Sequence, residues 1–313
     1  MKFSFNVVPL VDIDFDDEWN LHPWELNDIP SSLKESLRNN KIIHPPMVLR
    51  ISPNRYSVVH GFKRLLFYKK YIPDQDPVCL ILAESTEPAA ILKLLLIDQL
   101  SYSPLSLAEK GQFLKIAKRF VDIDYILKEF FPHLELPQKR STFDEVINIH
   151  EQHREIVTAI HNGQLNEKTA PEIIRLPDPR DRLTMVRFFR QLMMGTGKQR
   201  KFFILLRDLA SRENTTITEY LTDQLIQNIL RQKKMNNPQK VRHLGKLLQN
   251  RLTPSLNCAE EDFQKFTQTL GLPGNCSLNH SKSFEKNGVT LSIFFDNTTD
   301  CENSWYKIRK FLT

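Results

Sequence analysis

Apolar and acidic positions alternate with period two over Val11, Ile13 and Phe15 against Asp12 and Asp14, which predicts a half-buried strand early in the chain. After a loop containing Pro23, residues 30–39 open on proline and serines and set Leu33 and Leu37 four apart, the spacing of one helix face. Residues 47–51 and 56–59 read as strands joined by S-P-N-R, a connection of hairpin length. Gly61 then opens a helix over 62–71, an apolar strand covers 77–82, and an apolar helix covers 87–100. This order of elements describes a compact α/β domain.

From 106 to 251 the period is helical, with no convincing strand. Helices are predicted over 107–120, over 124–131 with Asp122 or Asp124 as cap and Pro132 as stop, and after Pro137 with Ser141 as N-cap and Glu145 near the first turn. Further helices over 151–161, 166–175, 179–193, 198–213, 217–233 and 238–251 complete an all-α bundle. In the tail, 260–270 is helical, 283–285 and 289–295 read as strands around K-N-G, and 301–311 is a last helix. The expected fold class is α+β in three parts: a small mixed α/β domain over 1–103, an all-helical domain over 104–251, and a small α+β unit over 252–313. The last is too small to stand alone and should dock on the helical domain or on a second copy of itself.

Composition narrows the chemistry. Nine glycines in 313 residues, with neither G-x-x-x-x-G-K-[ST] nor G-x-G-x-x-G, leave no Gly-rich phosphate loop. No apolar run reaches the roughly 18 residues of a membrane span, and the opening with Asp12, Asp14, Asp16 and Asp17 is unlike a signal peptide, so a cytoplasmic location is expected. Cys79, Cys258, Cys276 and Cys301 show no C-x-x-C, so neither a metal cluster nor a disulfide framework is expected. Charge is segregated: residues 1–110 carry 12 basic and 14 acidic side chains, 111–251 carry 25 and 16, and 252–313 carry 6 and 7. The net +9 of the middle segment is the footprint of a polyanion partner or of a solvated helical surface.

Two segments of the first domain carry the most chemistry. K-I-I-H-P-P-M-V leads into a strand, and Y-S-V-V-H-G-F-K-R-L-L runs strand, glycine, helix, with Lys63 and Arg64 in the first helical turn. Unpaired N–H groups and the positive dipole end of a helix, joined by two cations, form a phosphate site in principle. In order and spacing the pair resembles the N-terminal domain of the ParB partition family, where G-x-I-Q-P-x-x-V precedes Y-x-[IV]-[IV]-x-G-E-R-R. The resemblance implies a CTP site containing Gly61, Lys63 and Arg64, with Phe62 in place of a glutamate and Lys63 in place of an arginine. The family's later E-N-x-x-R segment would fall in L-L-I-D-Q-L-S-Y-S-P-L-S-L-A-E-K-G, where Asp98 and Gln99 stand for Glu-Asn and no arginine lies between Asp98 and Lys110. Lys41 replaces the first segment's glycine, so a positive φ there should be costly. The site therefore reads as degenerate, and CTP hydrolysis is not expected. His60 reads as a packed or capping histidine, because no second His or Cys sits at metal spacing beside it.

The resemblance reaches about residue 177 through H-N-G-Q-L-N-E-K-T-A-P-E-I-I-R-L. It implies a helix-turn-helix in the pair 124–131 and 141–150, with Lys139, Arg140, Ser141 and Thr142, followed by Asp144, opening the recognition helix. Arg140 would face guanine and Lys139 and Thr142 phosphate. Pro132 and Pro137 make the turn longer than that of a compact helix-turn-helix. Two further basic clusters, one around Arg180 to Lys201 and one around Arg231 to Lys246, are phosphate tracks or solvated faces. The implied function is that of a bacterial, nucleoid-associated protein that binds double-stranded DNA as a homodimer, in plasmid or chromosome partition with an ATPase partner, or in transcriptional control. Two rivals stand beside it. ParB-type domains resemble sulfiredoxin and some ATP-dependent kinases, but an enzyme would need a functional cysteine or carboxylate beside Gly61, Lys63 and Arg64, and Cys79 lies inside an apolar strand. The other rival is an adaptor that has lost both activities.

Overall fold

The computed structural model describes residues 3–16, 18–25, 29–281 and 288–312. The architecture is α+β. The chain forms two compact units, one of residues up to Phe203 together with Thr216–Leu221, the other of Ile204–Thr215 and Thr222 onward.

The first unit contains a mixed five-stranded sheet in the order β1-β5-β3-β4-β2. β1 (Phe3–Val7) lies antiparallel to β5 (Val78–Leu82), with Phe5 opposite Leu80. β3 (Met47–Ser52) runs parallel to β5 and antiparallel to β4 (Arg55–His60), and β2 (Ile13–Asp14) is parallel to β4. The alternating stretch expected to be a strand is mostly something else. Pro9, which has no N–H to offer a neighbouring strand, ends the extended run, and the Asp12 N–H closes a 3-10 turn on the Pro9 carbonyl at 3.0 Å. That turn throws Val11 out to 91% exposure and leaves only Ile13 and Asp14 to pair.

α1 (Ser31–Asn40), α2 (Phe62–Tyr71) and α3 (Pro88–Tyr102) fall where the apolar spacing puts them. α4 (Leu107–Ala117) opens on a capping box formed by Ser106 and Glu109. α5 (Ile123–Tyr125) is capped by Asp122 and widens into a π-helical turn, Ile126–Phe130, in which the Phe131 N–H reaches the Ile126 carbonyl at 3.3 Å. α6 (Arg140–His150) starts one residue before the expected Ser141. Lys139 takes the N-cap with no side-chain cap, which puts Ser141 inside the helix and corrects the expected capping role. The largest of three apolar clusters runs from Trp19, Val59 and Leu82 through Ile91 and Leu95 of α3 to Phe113 of α4, Phe130, and Phe143 and Val146 of α6. Val59 and Leu82 of the sheet thus share an interior with the helices, in which truncating any large member costs about 3–5 kcal/mol. α7 (Arg154–His161), α8 (Ala170–Ile174) and α9 (Pro179–Leu192) follow, α10 (Thr196–Arg212) is divided between the units, and α11 (Ile217–Tyr220) belongs to the first.

The second unit continues with α12 (Gln224–Arg231), α13 (Asn237–Leu252), α14 (Pro254–Thr269), a two-stranded sheet of β6 (Cys276–His280) and β7 (Val289–Ile293), and α15 (Thr298–Leu312). The helix expected over 217–233 is broken because the Asp223 carboxylate accepts the Leu225 and Ile226 N–H groups at 2.9 and 3.2 Å and starts a new helix. The strand expected over 283–285 lies outside the described residues; β7 pairs instead with the earlier Cys276–His280, Leu278 opposite Leu291. Among the described residues no helix is long and apolar enough to cross a membrane.

Candidate functional site

A cavity of about 230 Å³ lies at the N-terminus of α2, lined by Val59, His60, Gly61, Phe62, Lys63 and Arg64 on one side, Leu95 and Gln99 of α3 on another, and Trp19, Asn20, Leu21 and His22 across from them. Gly61 makes the close approach at its floor. Its φ is +89°, and a Cβ there would sit 2.8 Å from the Pro46 Cβ and 3.4 Å from an Arg64 guanidinium nitrogen. The P-P step of the first motif is therefore wedged against the glycine of the second. The first turn of α2 has no side-chain cap, and Arg64 and Leu65 N–H groups both return to the Gly61 carbonyl. Of the five residues expected to form a nucleotide site, Gly61, Lys63, Arg64 and Gln99 line this one cavity. Asp98 reaches it only through His60, whose Nε2 lies 3.4 Å from the Asp98 carboxylate. Burial, opposed by Asp98 and helped by Arg64, lowers the His60 pKa, so the ring is held toward its neutral form.

The far wall, residues 18–25, read as a plain loop in the sequence. It is a strap tied to the helices behind it: Gln112 Nε2 donates to the Asn20 carbonyl at 2.6 Å, Arg119 pairs with Glu18 at 3.0 Å, and Arg154 donates to the Trp24 carbonyl. Trp19, 2% exposed, stacks on Phe120 with centroids 4.5 Å apart. Two of the chain's three tryptophans in one short loop were the signal that it is packed rather than solvated. The strap also holds two buried donors. The Asn20 Oδ1 accepts the His22 N–H at 2.9 Å, which fixes the amide orientation, and neither Asn20 Nδ2 nor Trp19 Nε1 has a hydrogen-bond partner among the described residues. Buried donors left unpaired cost about 1–3 kcal/mol each unless a ligand or water meets them.

Cys79 is far from this chemistry in kind. It packs among Val8, Val48 and Ile81, and burial pushes its thiol up to about 12, so it stays protonated.

The expected DNA-reading residues stand at the start of α6. Lys139, Arg140 and Ser141 are exposed and Thr142 half-buried. The Arg140 Nε lies 3.4 Å from Asp144, with both side chains 62% exposed, and its guanidinium sits 5.7 Å from the Phe143 ring centre. Ser141 and Thr142 share a polar cleft between α6 and α8 with Glu145, which pairs with Arg175 at 2.8 Å. The basic cluster near Arg180 is largely engaged within the fold: Arg187 and Arg190 contact Glu155, Arg200 contacts Glu172, and Arg182 donates to the Leu176 carbonyl and Gln152.

One constellation is absent from the sequence reading. His22, Glu109 and His161 meet beside the strap, and no pair of them is closer than 52 positions in sequence. Burial raises the Glu109 pKa, but the His161 imidazole 3.7 Å away, hydrogen bonds from Ser106 and the nearby His22 outweigh it and hold the carboxyl at about 2.

No protein-family model and no curated protein matches the chain. Among solved structures it is similar to the C-terminally truncated chromosome-partitioning protein ParB from Caulobacter crescentus. The form complexed with CTP-gamma-S shares 15% identity over 59% of this chain and 98% of that chain, with a TM-score of 0.24. The form complexed to the centromeric parS site shares 14% over 63% and 97%, with a TM-score of 0.34.

Proposed function

We propose that the chain is a ParB-like protein that binds double-stranded DNA and holds a nucleotide, CTP by the sequence resemblance, in the cavity at the start of α2, acting in partition or transcriptional control. The observation that carries the reading is the cavity's complementarity to an anionic ligand: Lys63, Arg64 and the N-terminus of α2 line it together with the polar side chains Asn20 and Gln99. The volume, below the roughly 300–1,000 Å³ of ordinary ligand pockets, suits part of a nucleotide with the rest in solvent. Hydrolysis is not part of the proposal, because Asp98 is turned toward His60 and the segment 98–110 offers no arginine. DNA would lie against the first turn of α6, with Arg140 leaving Asp144 to reach a base edge and Lys139 and Thr142 on phosphates. In this division of labour residues 1–103 handle the nucleotide, 104–251 the DNA, and 252–313 self-association.

The test is selection from a pool of random duplexes, run with and without CTP. Enrichment of one sequence family, lost in Arg140→Ala, is the expected result. A pool that stays unenriched under both conditions removes the DNA-reading role.

A further inference from the structure

Three polar side chains converge beside the strap from separate parts of the first unit: His22 from the strap itself, Glu109 from the third position of α4, and His161 from the last turn of α7. His22 Nδ1 lies 3.5 Å from Glu109 Oε1, and His161 Nδ1 lies 3.7 Å from Glu109 Oε2. One ligand atom from each residue lies within 4.8 Å of the other two. We propose that His22, Glu109 and His161 bind a divalent first-row cation, with zinc the best match, that joins the strap to α4 and α7.

The donor set selects the class of ion. Two imidazoles and one carboxylate suit zinc and its first-row neighbours, whereas calcium and magnesium take oxygen ligands throughout. Zinc bonds of about 2.0–2.2 Å in a tetrahedron set neighbouring ligand atoms about 3.4 Å apart; the His22–Glu109 separation of 3.5 Å matches that edge, and His161, whose Nδ1 also lies 3.3 Å from the Ser106 hydroxyl, would close on the ion from within the 4.8 Å span of the group. The carboxylate is also oriented from behind. Glu109 Oε2 accepts the Ser106 N–H at 2.7 Å and the Ser106 hydroxyl at 2.6 Å, which leaves Oε1 turned toward His22. Hydrogen bonds of this kind are what hold ligating carboxylates in place in metal sites. Glu109 is only 6% exposed, and a dication would compensate its charge while both imidazoles stay neutral. The fourth position would fall to water. With the ion in place, the strap that forms the cavity's far wall would be fixed at His22 as well as at Asn20 and Trp24.

The experiment uses the full chain, dialysed against a chelator and titrated with zinc by calorimetry and with cobalt(II) by visible absorption. One zinc per chain, a higher melting temperature with the ion, and the cobalt bands of a four- or five-coordinate nitrogen–oxygen site are the expected results. His22→Gln and His161→Gln should each weaken binding by about tenfold or more and abolish those bands, with His133→Gln as the unaffected control. Both histidine variants keep the Ser106–Glu109 capping box, which Glu109→Gln would disturb. No saturable zinc uptake by the wild type, or uptake unchanged in both histidine variants, overturns the proposal. Should a variant lose its helical circular dichroism, the wild-type cobalt spectrum decides: six-coordinate, water-like bands refute the site.

Discussion

Gly61 and Lys41 sit at the two ends of the motif pair, and both have positive φ, with opposite consequences. Gly61 at +89° faces Pro46 at a distance no side chain tolerates, so Gly61→Ala should destabilise the fold by about 2–4 kcal/mol in urea unfolding and empty the cavity of any ligand. Lys41 adopts φ +56°, ψ −153° despite its side chain, so the backbone does take up the conformation expected to be costly there. The region is one that glycine alone occupies without strain, and Lys41→Gly should therefore stabilise by about 1 kcal/mol, measured the same way. His150 offers a third check. Burial, aided by Lys115, lowers its pKa to about 4, whereas the unfolded ring titrates near 6.5. The folded form holds the ring neutral, so stability is full above about pH 6.5 and falls as the pH drops toward 4, by about 1–2 kcal/mol after allowance for solvent screening. His150→Gln should flatten that part of the pH profile; an unchanged slope would mean that other groups set it.

At the scale of elements, sequence pattern found α2, α3, the β3–β4 hairpin and β5 to within a residue or two at most ends, because each couples a clear apolar spacing to a proline, glycine or turn. It failed where a local hydrogen bond overrides the spacing: the Pro9 turn that ejects Val11, and the Asp223 cap that splits a helix. The candidate site was legible in part. Gly61, Lys63, Arg64 and Gln99, which line the cavity, stand out in the sequence because they lie on regular elements in a recognisable order, whereas the strap's Trp19, Asn20 and His22 have no period to betray them. The His22, Glu109 and His161 group is invisible to spacing rules, since its members meet only in the folded chain. Gly111 belongs with these long-range requirements. A Cβ there would lie 2.6 Å from the His150 Cβ, so Gly111→Ala should push α4 from α6 and cost about 1–3 kcal/mol in thermal or urea unfolding.

For the whole molecule, the concentration of positive charge in 111–251 has to be weighed against the ion pairs that already engage several of its arginines. Enough exposed cations remain for several phosphate contacts, so DNA affinity should fall steeply between low and physiological salt. The second unit displays Val289, Leu291, Phe294, Trp305 and Tyr306, each more than half exposed, around a sheet of only two strands. Such a sheet is marginal alone, and sedimentation at micromolar concentration should find a dimer. The central claim is that DNA is read at α6 while the α2 cavity serves a separate ligand. It is tested most directly by equilibrium anisotropy on the selected duplex, comparing wild type, Arg140→Ala, and the double variant Lys63→Ala with Arg64→Ala. Arg140→Ala should cost about 1–3 kcal/mol on that duplex and little on unrelated DNA, and the double variant should bind the duplex nearly as the wild type does. Loss of DNA binding by a folded double variant, with Arg140→Ala unimpaired, would place the DNA surface on the α/β domain and contradict the account.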